Sequence, residues 1–336
     1  MRYTDCRIDF QCCTNPCMPD SASSSAHPSQ PEPHQVAEGI ASMLLASLLF
    51  SMMNVCVYAA SLADPTLSST VISFIRVAVN LLLLLVPAIL RRDVRELFGD
   101  LRPALWLRGL FGASALMLSF AAIQRIGAGE SAFLHSSSGV FVALLSPFLL
   151  GQRNNALVWM AIVGSLLGLG LLLKPRLDQP DQVGRALALS AGWLAALAYL
   201  MVARSGRSNR PGTIVFYFCL VGVFLHLAYF AWAGATWPIG RAAWAWSIGS
   251  GLTAAGAQLY MTRSYQQAPA ALLGAVGYTS PVFSLAWSRW LFGQIPDRSA
   301  LLGCLLVLAC GVALPFLTGT GRRAEEPGEG RRTLPE

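Results

Sequence analysis

Unbroken apolar runs of about twenty residues, the length that crosses a bilayer as a helix, recur along the whole chain. They fall at 37–59, 68–90, 103–124, 128–150, 154–173, 184–203, 212–234, 241–265, 269–292 and 298–318. The runs do not alternate between apolar and polar positions, so they predict helices rather than the strands of a membrane barrel. Turn formers and charges separate them: Asp64-Pro65, Arg91 to Arg102, Gly127, Gln152-Arg153, Lys174 to Gly184, Arg204 to Pro211, Trp237-Pro238, Pro269 and Pro296-Asp297. The pattern predicts an all-α integral membrane protein with ten transmembrane helices.

Composition agrees with the pattern. Hydrophobic residues make up 54% of the 336 positions and charged residues 12%, against about 25% charged in a soluble domain. An ordinary cytosolic enzyme and a disordered chain are both excluded by those figures. The net charge of +7 is not arranged as a basic stripe with interleaved aromatics, so no nucleic acid is implied. Basic loops explain it. With the N-terminus inside, fourteen Lys and Arg side chains lie in cytoplasmic segments and five outside, which predicts cytoplasmic termini at both ends in a bacterial inner membrane. Residues 1–36 are Ser- and Pro-rich and lack the charged-then-apolar order of a signal peptide. They read as a disordered cytoplasmic tail, with a second tail at 319–336. Cys6, Cys12, Cys13 and Cys17 cluster in the first tail without a paired CxxC or a His-x-His, so no metal and no cofactor are expected. The other cysteines, Cys56, Cys219, Cys304 and Cys310, sit in apolar runs as small hydrophobes.

The chain repeats itself. Ser138 to Gln152 (SGVFVALLSPFLLGQ) and Ser280 to Gln294 (SPVFSLAWSRWLFGQ) match at seven of fifteen positions without a gap, and the same offset sets Gln124 on Gln266. Each unit then holds five helices, at 37–174 and 184–318. Five is odd, so the second unit is expected to lie inverted relative to the first, an arrangement typical of secondary transporters.

These residues resemble the drug/metabolite transporter superfamily in its ten-helix EamA form. In the first half the resemblance rests on Phe50-Ser51-Met52-Met53, Phe74-Ile75-Arg76, Leu107-Arg108-Gly109-Leu110 with Gly112, and Phe141 to Leu145. In the second half it rests on Gln258 to Tyr265, Ala268-Pro269-Ala270-Ala271, Tyr278-Thr279-Ser280 and Leu291 to Gln294. The resemblance implies a carrier of small metabolites, some family members being amino-acid exporters. Where the family commonly has a Leu-Gly-Glu-like triplet, this chain carries Gln152 and Gln294, so a charge role at those positions does not carry over.

Polar side chains inside the spans are the candidates for transport. A charge at the bilayer centre costs at least about 2.5–3.5 kcal/mol. Arg76 lies about two turns into the second span. It reads either as a cation awaiting a substrate carboxylate or as a structural Arg bonded to carbonyls. Arg108, Arg263 and Arg289 lie nearer helix ends, where snorkelling accounts for them; Arg263 stands out because Tyr260 and Tyr265 flank it. The substrate-binding candidates are therefore Arg76, Arg263, Tyr260, Tyr278 and Asn54. Glu130 and His135 form a candidate proton-coupling pair; the alternatives are a helix-end carboxylate and a packing histidine. His226 reads as packing. Gly164 and Gly168 read as a close helix contact.

No Walker A loop, Ser/His/Asp pattern, ligand set or charged filter ring is visible. The chain is thus expected to be a carrier, neither an enzyme nor an ATP-driven pump, with no ATPase subunit. Its partners are a small-molecule substrate and the lipid bilayer. An interior rich in Arg and poor in carboxylate points to a carboxylate-bearing solute. Export of an amino acid or amino-acid-derived metabolite, an opine-like metallophore among them, is the leading expectation. Uptake of a vitamin or nucleoside-like compound of the riboflavin or S-adenosylmethionine type is the alternative.

Overall fold

The structure is a computed structural model and describes residues 33–152, 154–174, 181–206, 208–293 and 297–313. The four tail cysteines, Arg153, Arg176, Gln294 and the second tail lie outside the described residues, as does residue 314 onward of the tenth run. Among the described residues no strand occurs. The helices are α1 (Pro33–Ala63), α2 (Ser69–Leu90), α3 (Val94–Phe98), α4 (Pro103–His135), α5 (Ser138–Leu150), α6 (Ala156–Leu173) and α7 (Gln182–Ser205). They continue as α8 (Pro211–Ala233), α9 (Arg241–Gln267), α10 (Ala270–Gly277), α11 (Thr279–Phe292) and α12 (Arg298–Leu308), closed by a π-helical turn at Ala309–Ala313. Among the described residues, eight stretches are long and apolar enough to cross a membrane. Helix α9 has the length, 27 residues, but its polar side chains keep it out of that set; α12 is shorter, at 11 residues.

Two boundaries differ from expectation. Helix α1 begins at Pro33, inside the stretch read as tail, because proline is tolerated in a first helical turn and His34 pairs with Glu38 at 3.5 Å one turn on. The basic run between α2 and α4 is not simply solvated. It carries α3 and docks on the start of α8: Asp100 N and Ser208 Oγ donate to Asn209 Oδ1 (3.1 Å) and Asp100 Oδ2 (2.7 Å) respectively, and Tyr217 Oη donates to Phe98 O at 3.0 Å.

Helix α4 is not one straight rod. Ser131 Oγ lies 3.4 Å from Ser119 O, whereas twelve residues of straight helix would separate them by about 18 Å. The chain therefore doubles back between them, around the expected break at Gly127. The helix is clamped at that reversal to the first turn of α7. Arg185 Nε donates to Glu130 Oε1 at 2.8 Å, and Arg125 pairs with Asp181 at 3.3 Å. Asp181 is also the N-cap of α7, accepting from Gly184 N at 2.9 Å.

Both halves then break a helix at matching places. After α4 the helix is interrupted at Ser136 and Ser137; between α10 and α11 it is interrupted at Tyr278, which the internal repeat sets on Ser136. The two breaks touch. Tyr278 Oη donates to Ser136 O at 2.7 Å, and a Cβ on Gly274 would sit 3.3 Å from Gly139 Cα. Gly139 needs its missing side chain, because a Cβ there would overlap the Tyr278 hydroxyl. Elsewhere Gly168 faces the Gly303 carbonyl, 2.8 Å from where its Cβ would be, so the close-contact reading of that glycine holds. Around the breaks the main core gathers Met43, Val142, Leu200, Met261, Tyr265 and Leu273.

Tyr278→Phe removes the bond between the breaks and leaves Ser136 O with its weaker 3.2 Å partner, Gly139 N. A net loss of about 1 kcal/mol predicts a thermal midpoint about 2–4 °C lower in nanodiscs. Gly139→Val, which cannot avoid the tyrosine, is expected to cost more; a midpoint unchanged by both variants would contradict this contact.

Candidate functional site

Helix α2 is an apolar segment with one polar face. Ser73, Arg76 and Asn80 are spaced three and four residues apart, so they stack on a single side. All three are buried, Arg76 at 6% exposure and the other two at 0%. The helix is started by Ser68, whose side chain accepts from Thr70 N. Opposite this face stand α4, α8 and α9. Arg108 of α4 is 2% exposed; its Nη2 donates to Gln258 Oε1 of α9 at 3.2 Å, and its guanidinium lies 4.7 Å above the Phe218 ring. Arg76 and Arg108 are within electrostatic range of each other, and Tyr199 and Cys219 are close to both. The Tyr199 ring stacks on Tyr265 at 5.3 Å, the planes 13° apart.

Two guanidinium charges therefore share a membrane interior. Among the described residues neither has an ion-pair partner. Arg76 Nε, Arg108 Nε, both amide atoms of Asn80 and Thr262 Oγ1 are buried without a hydrogen-bond partner. Such atoms are uncommon in a finished core, and in hydrocarbon no water is at hand to satisfy them. The cluster has the chemistry of a receptor for an anion: two forks of N–H donors, an amide and a hydroxyl, with no negative charge in place.

One turn of α2 before Arg76, His226 of α8 is fully buried beside Ser73. Its Nδ1 faces Gly222 O at 2.7 Å and its Nε2 faces Ser73 Oγ at 3.1 Å. A carbonyl only accepts, so Nδ1 carries the proton and the Ser73 hydroxyl donates to Nε2. The ring ties α2 to α8, which extends its reading as packing.

The residues named from sequence do not all meet here. Arg76 lies at the centre. Arg263 is 55% exposed at the side chain and 3.9 Å from Glu38; Tyr260 and Asn54 are also exposed. Tyr278 is buried, but its hydroxyl is spent on the helix break. Glu130 is bound to Arg185, with side-chain exposures of 2% and 19%, and no contact joins it to His135, whose Nδ1 lacks a partner. Sequence reasoning missed Arg108, which does not snorkel, as well as Gln258, Tyr199 and Asn80. The spacing from Arg76 to Asn80 in an apolar helix was a usable signal for the last. Outside the spans, the hydrogen bond from Thr66 and that from Ile239 N hold the Asp64 carboxyl below the usual range, and the bond from Gly184 N does the same for Asp181. Among the described residues no group of three His, Cys, Asp or Glu side chains is placed to hold a metal ion.

Fold and site together define a multi-pass, all-helical membrane protein with a cationic interior. The chain belongs to the EamA-like transporter family, whose sequence pattern it matches twice, over residues 37–174 and 182–315. It is 28% identical over 277 residues to the pseudopaline exporter CntI of Pseudomonas aeruginosa, covering 82% of this chain and 95% of that one. It is 23% identical over 288 residues to an uncharacterized transporter of Helicobacter pylori, covering 83% and 95%. A solved crystal structure shares the fold with a TM-score of 0.72 at 20% identity, covering 86% of this chain and 99% of that one.

The buried arginines fall into two kinds that should respond oppositely. Arg76→Met and Arg108→Met remove charges that nothing pairs, so the ligand-free thermal midpoint is expected to rise. Glu130→Gln removes the carboxylate that Arg185 meets at 2.8 Å from a site where Glu130 is 2% exposed, and loss of such a pair destabilises; its midpoint is expected to fall. A fall for all three variants would contradict the unpaired state of the first two.

Proposed function

We propose that this chain is a secondary exporter of the bacterial inner membrane for an amino-acid-derived, carboxylate-bearing metabolite, an opine-like metallophore in particular. The observation that carries the reading is the Arg76–Arg108 pair, both buried and, among the described residues, with no carboxylate paired to either. A solute bearing carboxylates supplies the missing charge, and each guanidinium can grip one of them bidentately. A bare hydrophobic cation finds only repulsion there. The relative that exports pseudopaline adds support for this solute class and for outward direction.

Transport proceeds by alternating access between two inverted five-helix repeats, 37–174 and 184–318, with all ten apolar runs spanning the bilayer. The double family match and the paired helix breaks at Ser136 and Tyr278 favour that architecture. Both termini are cytoplasmic on the positive-inside balance. Of the predicted binding residues Arg76 carries the reading, with Arg108 and Gln258 joining it; Arg263, Tyr260, Tyr278 and Asn54 serve at a distance from the two charges. His135, beside the first helix break, is the coupling candidate, and Glu130 holds the neighbouring reversal through Arg185.

In cells that make pseudopaline but lack their own exporter, this chain is expected to move the compound into the medium. Arg76→Met and Arg108→Met are each expected to cut export at least tenfold, the equivalent of about 1.4 kcal/mol of lost binding, while Arg263→Met leaves most of it. Export that survives both charge removals would refute the reading.

A further inference from the structure

One turn after Arg76 along α2, a cavity of about 270 Å³ lies between α2, α8 and α9, with Leu83 and Leu252 on its exposed rim. Its walls are Leu83, Leu84, Val215, Leu252 and Leu259, and its one strongly polar lining group is Asn80. Asn80 is completely buried, yet neither its amide N–H nor its carbonyl oxygen has a partner. A structural asparagine in a membrane helix would bond across to a neighbour; here leucine would fill the same space without stranding an amide. Asn80 follows Arg76 by one turn on the same face, about 6 Å along the helix axis. A ligand whose carboxylate rests on Arg76 can therefore reach it.

We propose that this cavity is a substrate subsite and that Asn80 is its specificity-determining residue, taking a neutral planar substituent that carries a donor beside an acceptor, such as a primary amide. The proposal rests on the anion-receptor reading of Arg76. The amide offers one donor and one acceptor edge, which such a group satisfies together. A cationic substituent is repelled by the nearby guanidinium, and a second carboxylate goes to Arg108. The volume falls just under the roughly 300–1,000 Å³ of pockets that take whole small ligands, so the cavity holds a side group while the charged part of the solute remains on the arginines.

The test uses the full chain in nanodiscs and its Asn80→Leu variant, read by thermal unfolding with pseudopaline, L-glutamine or L-leucine as probes. Glutamine and leucine share size and carboxylate and differ in the amide. The wild type is expected to be raised more by glutamine than by leucine. In Asn80→Leu the ligand-free midpoint rises by about 2–4 °C, as expected when an unsatisfied amide is removed, and the preference for glutamine disappears. A fall in the ligand-free midpoint, a glutamine preference that survives in the variant, or no preference in the wild type would each overturn the assignment. A wild type raised by glutamine but not by pseudopaline supports the subsite and overturns the metallophore reading; pseudopaline raising both proteins equally does the reverse.

Discussion

A charge inside a bilayer has to be answered by something, and the organisation of this chain follows from where the answer is supplied and where it is withheld. At the reversal of α4 it is supplied by the protein: Glu130 meets Arg185 at 2.8 Å and Asp181 meets Arg125 at 3.3 Å. Those pairs fix how the fourth span leaves the third. At the centre it is withheld. Arg76 and Arg108 are as buried as Glu130, but among the described residues Arg108 meets the neutral amide of Gln258 and the face of Phe218, and Arg76 Nε has no partner. The first set of charges builds the scaffold; the second leaves it poised for a solute of opposite sign.

The scaffold brings those charges together through interrupted helices. Breaks at Ser136 and at Tyr278 free backbone groups inside the membrane, where they must be satisfied by protein. At the first break the Ser136 carbonyl is satisfied by the Tyr278 hydroxyl of the second, and Tyr278 N bonds back to Ala275 O, with Gly139 and Gly274 letting the two segments approach. Helix α9 illustrates the same compromise in a different form. It has the length of a span, but Ser247, Ser250, Gln258 and Thr262 on its buried side make it too polar to register as one by hydropathy. Polar side chains packed into the protein interior remove the signature of a helix that faces lipid.

Much of this was legible before any coordinates. Apolar run length located the helices, and Gly127 marked the reversal even though helical geometry continues through it. Arg76 was visible because it lies far from both ends of its span. What stayed hidden depends on side-chain direction. Arg108 is near a helix end, so its position along the chain allowed snorkelling; packing of Phe218 and Gln258 turns it inward instead. Arg263, as near an end of its own helix, points out to Glu38 instead. Tyr278 reads from sequence as a substrate-binding candidate, and only the opposing break shows what its hydroxyl holds. Pro33 and α3 were missed because short local bonds, not hydrophobicity, form them.

The central claim is that carboxylate supplies the charge that Arg76 and Arg108 lack. Calorimetric titration of the purified chain with pseudopaline and with its carboxyl methyl ester tests it most directly, since esterification removes the negative charge and keeps the rest of the solute. The free acid is expected to bind and the ester to bind at least tenfold more weakly, a difference of about 1.4 kcal/mol. Equal binding of acid and ester would contradict the account.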